Sequence, residues 1–279
     1  MEPHLILLGS GQDGGTPQLG SASQGAQRSA SSVALVTGTS PPILFDASPD
    51  IRHQHARLRS EREPDPGKEP FSRVFITHGH MGHYAGLVHF GKEAASTSGI
   101  PLHADNTVLA FLAANEPWAS LFTNGNLVAQ AIPDGGVDLG RVIVRAIRVP
   151  HRSDFTATSA FSVWVDDTPW ALYLPDIDSW DQWADAEEVL ASHALCLIDA
   201  TFGSMDEIPG RSIHEIPHPL VGDTLTRFAH LTNHTEIVLT HINHSNALND
   251  PNSDLTALAL SLGFTIGADG MAFPYREVP

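Results

Sequence analysis

The sequence predicts a mixed α/β or α+β sandwich, and three observations carry that prediction. The chain has 279 residues, 42% of them hydrophobic, which is enough for one large domain with a substantial core. Short apolar runs that stop abruptly at an acid, a Thr or a His alternate with stretches of helical spacing. Hairpins occur among the strands, which argues against a simple doubly wound sheet.

Strands are expected where apolar runs are short and bounded by polar or turn residues: 5–9 (LILLG), 32–37, 42–46, 73–77, 141–149, 160–167, 170–176, 195–200 and 236–240. Helical spacing falls at 49–60, 83–94, 105–115, 180–191, 219–231 and 253–262. Asp105, Ser179 and Asp254 stand where N-caps belong. The stretch DDTPW (166–170) has the composition of a hairpin turn. Segments 9–32 and 60–70 are loops. The first is rich in Gly, Ser and Gln, and two readings stay open for it: a plain surface loop, or a loop whose glycines let backbone approach a ligand. No repeat or linker divides the chain, so 1–279 is expected to be one domain.

Charge is sparse and one-sided. Fifteen Lys+Arg against 32 Asp+Glu give a formal net charge of -17. Such a surface repels polyanions, which excludes long nucleic acid in the absence of a basic patch. The densest positive group, RHQHARLRSER (52–62), reads as a solvated helix face followed by a loop. The single cysteine, Cys196, has no internal disulfide partner and fits as a small apolar strand residue. The first ten residues are too short an apolar run for a signal peptide, and no stretch approaches the roughly 18 apolar residues of a bilayer span. A cytoplasmic protein away from membranes is expected, acting on a small molecule, with oligomerisation left open.

Sixteen histidines point toward chemistry. Three of them, His78, His80 and His83, crowd into VFITHGHMGHYAGL (74–87). The run before them is a strand and the segment after them has helical character, so the cluster lies in the turn between. His78 and His80, two apart, can point the same way, and His83 can turn back toward them. Imidazoles converging at a strand end make a metal nest. Capping or solvation would not require three in six positions. Further ligands are expected at other strand ends: His151 after RVIVRAIRVP, Asp176 after WALYLP and His241 after EIVLT.

The order FDASPD, THGHMGH, VPH, LYLPD, LTHINH resembles the metallo-β-lactamase superfamily from about Leu5 to about Asn246. The resemblance implies a four-layer αββα sandwich with a metal site along one edge of its sheets. By motif, it implies that His78, His80 and His151 hold a first ion, that His83 and His241 hold a second, and that Asp176 bridges. It also implies that Asp46, at a strand end, orients a ligand from behind. The family's H-x-H-x-D-H motif carries an aspartate where this chain has Gly82. Glycine neither ligates nor orients water, so the second ion is weaker, absent, or served by another acid. Asp13, in GQDGG, is the first candidate for that acid, with Asp154 and His244 behind it. A turn former is the other reading of Asp13.

A zinc-bound water with a pKa near 7 provides a nucleophile at neutral pH, and hydrolysis also needs a proton for the leaving group. LCLIDATF ends a strand on Asp199, and HEIPHPL follows with His214 and His218. A carboxylate beside an imidazole raises its pKa and fixes its orientation. Asp199-Ala200-Thr201 and His218 resemble in type and order a Glu-Ala-Thr strand end and later His of the superfamily's phosphodiesterases, including the tRNA 3′-processing endonucleases. A purely structural brace is the other reading. LGSGQDGGTPQ, FDASPDIR, LIDATF, IPHP and THINHSN also look like the branch containing pyrroloquinoline quinone biosynthesis protein B. In that protein the first two motif histidines are missing and the Asp-His pair is kept, the reverse of this chain. Its Cys-rich N-terminal zinc site is also without counterpart, because no cysteine precedes Cys196.

A metal-dependent hydrolase of a small phosphodiester or related ester is therefore expected, with one or two zinc ions, or manganese or iron. An oxygenase using mononuclear iron and a non-catalytic metal-binding relic are the alternatives. Trp118 and Phe122 are either an aromatic wall beside the site or core residues.

Overall fold

Alternation along the strands sets the layers. The computed structural model describes residues 2–21, 26–38, 41–60, 69–207 and 217–276. In β1 (His4–Gly9), Leu5 and Leu7 enter one core while Ile6 and Leu8 enter another. The period of two also divides Val74 from Phe75 in β4 (Arg73–Phe75) and Leu172 from Tyr173 in β10 (Thr168–Leu174). Three cores result, and a one-residue slip in any of these strands would exchange them.

The first sheet adds β2 (Ser32–Val36), β3 (Ile43–Phe45), β5 (Ile100–Ala104), β6 (Leu127–Ala131) and β14 (Ala272–Pro274), in the order β14-β1-β2-β3-β4-β5-β6. The second contains β7 (Val137–Asp138), β8 (Val142–Arg148), β9 (Ser159–Val165), β11 (Leu195–Asp199), β12 (Glu236–Thr240) and β13 (Thr265–Ile266), in the order β13-β12-β11-β10-β9-β8-β7. The middle core joins them: Leu7, Leu35, Phe45 and Phe75 of one sheet meet Phe161, Tyr173, Leu197 and Val238 of the other. Each such fully buried Leu or Phe contributes roughly 1.5–3 kcal/mol of hydrophobic stabilisation.

Helices close the outer faces. On the first sheet lie α1 (Ile51–Ser60), α3 (Asn106–Ala114) and α4 (Trp118–Thr123), which bury Ile51, Val108, Leu112 and Leu121. The four-residue α2 (Met81–Tyr84) lies between α1 and α3 in the chain. On the second sheet lie α5 (Ala186–Ala191), α6 (Val221–Phe228) and α7 (Asp254–Ser261). In α6, Val221, Thr224, Leu225 and Phe228 form the buried stripe at spacings of three and four. The fold is the expected four-layer αββα sandwich. Among the described residues, no helix is long and apolar enough to cross a membrane.

Several elements differ from the sequence reading. The expected helix over 83–94 is only α2 followed by a tight 3-10 segment, Ala85–Phe90. Gly86 there lies so close to Ser48 that a Cβ would come within 2.0 Å of its carbonyl oxygen. The 180–191 stretch splits into a short 3-10 turn, Trp180–Gln182, and α5. Asp105 and Ser179 cap as expected, but the cap of α7 is Ser253, whose hydroxyl accepts from Thr256 N, and not Asp254. Trp118 and Phe122 pack against the core, and Trp118 also meets Tyr84 at 4.9 Å between ring centroids.

Strand direction decides where function can sit. β3 and β4 are parallel, and β1 runs with them, because both are antiparallel to β2. In the other sheet β10, β11 and β12 are parallel, and β8 shares their direction through β9. The C-terminal ends of β1, β3 and β4 thus share one edge of their sheet, as do those of β8, β10, β11 and β12.

Candidate metal centre

These strand ends carry the residues singled out in the sequence. Asp46 follows β3, His78 follows β4, His151 follows β8 and Asp176 follows β10, while Asp199 closes β11 and His241 comes directly after β12. All are buried. Two of them, Asp46 and His241, have φ near +59° and +58°, a left-handed conformation that costs an ordinary side chain of order 1–3 kcal/mol. Both lie where the chain leaves a strand and turns into the cluster.

One group of nitrogens forms on the His80 side. His78 Nε2 is 2.8 Å and His151 Nε2 is 3.2 Å from His80 Nδ1. A second group comprises His83 Nε2, His241 Nε2 and Asp13 Oδ1. Asp13 Oδ1 is 3.4 Å from the first of these and 4.0 Å from the second. Asp176 lies between the groups: its Oδ2 is 2.9 Å from His83 Nε2, 3.2 Å from His241 Nε2 and 3.6 Å from His78 Nε2, and its Oδ1 is 3.8 Å from His151 Nε2. Sets of three, such as His78, His80 and His151 or Asp13, His83 and His241, are close enough to hold a cation.

Hydrogen bonds from behind fix which ring nitrogens face inward. Thr77 Oγ1 gives its one proton to Asp46, so it must accept from His78 Nδ1 at 3.0 Å. Asp46 also accepts from His83 Nδ1 at 2.8 Å, from Thr77 N and from the Tyr173 hydroxyl. The second sheet repeats the device. Thr201 Oγ1 donates to Asp199 Oδ1 at 2.7 Å and accepts from His241 Nδ1 at 2.8 Å. Asp199 Oδ2 accepts from His218 Nδ1 at 2.7 Å and from Ile177 N. His151 Nδ1 lies 2.8 Å from Asp178 Oδ1. His78, His83, His218 and His241 therefore have Nδ1 held from behind and Nε2 turned inward, while His151 Nδ1 has Asp178 as a close charge neighbour without a hydrogen bond.

Electrostatics favour a cation. Burial pushes His78 well below an ordinary histidine, and neighbouring His83 adds to it. Burial likewise lowers His241, and takes His80 to about 4. These rings are neutral at pH 7, with lone pairs to offer. Burial would also lower His83, but Asp46, Asp13 and Asp176 outweigh it and hold that ring protonated. Burial would raise Asp176 and Asp13, but the surrounding histidines keep both ionised. Three buried atoms, His83 Nε2, His241 Nε2 and Asp13 Oδ1, make no hydrogen bond. Each such atom ordinarily costs about 1–3 kcal/mol. Three meeting at one point, able to ligate a metal once an incoming ion displaces the His83 Nε2 proton, fit a bound cation in geometry and chemistry.

The remaining candidates divide. His218 sits beside the cluster, its ring centroid 5.7 Å from that of His151 and 5.9 Å from that of His241. Burial would lower it, but Asp199 outweighs burial and raises it to about 8. His214 lies outside the described residues. Asp154 Oδ2 is 3.8 Å from His80 Nε2, on a half-exposed side chain. His244 Nδ1 pairs with Asn243 Oδ1 and joins none of these groups.

The sequence reading missed Thr77, Asp178 and an apolar lip. Phe155 is 62% exposed, set edge-on to His80 at 6.2 Å and against Phe111 at 5.7 Å, with exposed Met81 nearby in sequence to His80. Its loop is pinned by Gly79 N donating to Thr156 Oγ1 at 2.8 Å. Only adjacency to His78, to Asp176 and to His151 marked these residues in the sequence.

No curated protein matches the chain in sequence. Solved structures do. A zinc-bound PqqB from Methylobacterium extorquens is 21% identical, covers 97% of this chain and 99% of its own, and has a TM-score of 0.82. A diphosphatase of the PhnP family is 19% identical over 100% of this chain and 99% of its own, with a TM-score of 0.70. A long-form RNase Z from yeast is 12% identical over 98% of this chain and 42% of its own, with a TM-score of 0.57. At these identities the likeness is one of fold. The family model described as beta-lactamase superfamily domain matches residues 42–242, well over half of the sequence. By that match and its αββα architecture, the chain belongs to the metallo-β-lactamase superfamily.

Proposed function

We propose that this protein is a metal-dependent hydrolase of a small phosphodiester or a related ester. One observation carries the reading: the Asp199–His218 pair, 2.7 Å apart, stands beside a cluster of histidines and Asp176 suited to a cation. The cluster accounts for a nucleophile, and the pair accounts for the proton that the leaving group needs. In this reading His78, His80 and His151 would hold one ion, His83 and His241 another, and Asp176 both. Zinc is the ion we favour for a set dominated by imidazole, in one or two copies, with manganese or iron as alternatives. Bound there, such an ion supplies hydroxide at neutral pH and polarises the ester oxygen.

The protein's own residues do the rest. Asp46 and Asp199, directly or through Thr77 and Thr201, keep four imidazoles aimed inward. With Nδ1 held by Asp199, His218 is left with Nε2 to donate to a departing oxygen. Phe155 and Met81 offer an apolar surface for one substituent of the ester. We place the protein in the cytoplasm, where a lone buried thiol such as Cys196 stays reduced.

An iron-dependent oxygenase is the competing reading, motivated by the likeness to PqqB. It leaves the proton held on His218 without a task, as does a non-catalytic relic. Metal-loaded protein should cleave bis(p-nitrophenyl) phosphate without oxygen, and His80→Ala should lose both bound metal and turnover. Equal cleavage by chelated, metal-free protein would reject the proposal, and turnover that requires oxygen would favour the oxygenase.

A further inference from the structure

Gly82 is a glycine for want of space, and the space is filled by an acid. Its backbone is helical, within α2, and is open to any residue. A Cβ placed on it, however, would lie 2.0 Å from Asp13 Oδ1, 2.5 Å from Asp13 Cα and 2.8 Å from Asp13 Cγ. Among the described residues outside its own helix turn nothing comes closer, so the obstacle at Gly82 is Asp13 itself.

Asp13 is held there by backbone. Gln12 N donates to Ile242 O at 3.1 Å, and Ile242 N donates to Ser10 O at 2.9 Å, which ties the loop to the residue after His241. Gly11 N donates to Ser29 O, and Gly15 N closes a turn onto Gln12 O at 2.6 Å. Gly15 has φ +67°, and a Cβ on it would sit 2.8 Å from Arg28 O, so this turn needs glycine. The carboxylate is thus delivered from the end of β1 to a point beside His83 and His241, with Oδ1 lacking a hydrogen bond.

We infer that Asp13 supplies, from the loop after β1, the carboxylate ligand of the second ion, and that glycine at 82 is what leaves room for it. The inference rests on the metal-centre part of the proposal above, and it concerns how many ions bind and not which reaction follows.

Elemental analysis and titration of apoprotein with zinc and with cobalt test it, activity aside. Wild type should bind two ions per chain. Asp13→Ala should bind one, or lose at least about tenfold in affinity at the second step, a loss typical even for residues behind a ligand. Gly82→Ala should weaken the second step by displacing Asp13. Asp13 is a partly exposed loop residue, so circular dichroism and melting of Asp13→Ala should match wild type. Two ions bound with unchanged affinity by Asp13→Ala, or only one by wild type, would overturn the inference. No ion in wild type would instead defeat the metal centre as a whole.

Discussion

Replacing Asp199 by Asn removes a charge from His218 while nearly preserving shape. In the wild type, burial lowers His218, but the Asp199 carboxylate, 2.7 Å away, outweighs it and brings the ring to about 8. Against an ordinary histidine at 6.5, that rise corresponds to about 2 kcal/mol. Because the folded value lies above the unfolded one, this stabilisation is complete below about 6.5 and is lost as pH rises through about 8. In Asp199→Asn the largest opposing charge is gone and only Asp176 and Asp13 still act against burial, so His218 should titrate well below 8. A return to an ordinary 6.5 would cut the protonated fraction at pH 7.5 from about three quarters to about a tenth, roughly an eightfold loss of proton donor. Imidazole NMR titration of metal-free protein reads the shift directly. In metal-loaded protein the descending limb of the pH–rate profile should lie at lower pH in the variant than in wild type. A His218 that still titrates near 8 without Asp199 would refute the electrostatic account. An unchanged rate profile would remove His218 from the reaction.

Phe155→Ala should raise KM for esters bearing an aromatic substituent by about tenfold or more, the scale of losing apolar contact in a pocket, with kcat little changed. Steady-state kinetics on an aromatic and a methyl ester of the same leaving group separate this from a general loss. Thr201→Val breaks the link from Asp199 to His241 and should weaken metal binding by about 10–100-fold, with Thr201→Ser restoring it; calorimetric titration of apoprotein checks both.

Much of the site was legible because its residues stand where strands end. An apolar run that stops at His or Asp is visible in sequence, and six such stops gave His78, His151, Asp176, Asp199, His241 and Asp46. The residues that hold them were not visible in the same way. Thr77 and Thr201 matter through a single hydroxyl proton whose direction is set by partners 31 and 2 residues distant in sequence. Weak strands were also missed, because β6 is mostly exposed while β7 and β13 are two residues long and carry little apolar signal. The 83–94 helix was over-read because its apolar spacing is helical while Gly86 is pressed against Ser48.

Gly82 shows how a motif can lose its acid while the fold brings a carboxylate from elsewhere in the chain beside His83. In sequence the positions 13 and 82 are unrelated. In the fold, β1 and β4 run in the same direction within one sheet and release their chains at one edge. Any loop leaving that edge can place a carboxylate beside His83, and the backbone tie from Gln12 to Ile242 makes the loop after β1 the one that does. The constraint on the site is then a volume with room for one carboxylate. A side chain at Gly82 would meet both the carboxylate and the Cα of Asp13, so any residue larger than glycine there must push the loop after β1 away. Gly82→Asp is therefore expected to displace that loop and lose the second ion, and D13G/G82D, which keeps the Cα of residue 13 in the way, is expected to do no better when metal content per chain is measured.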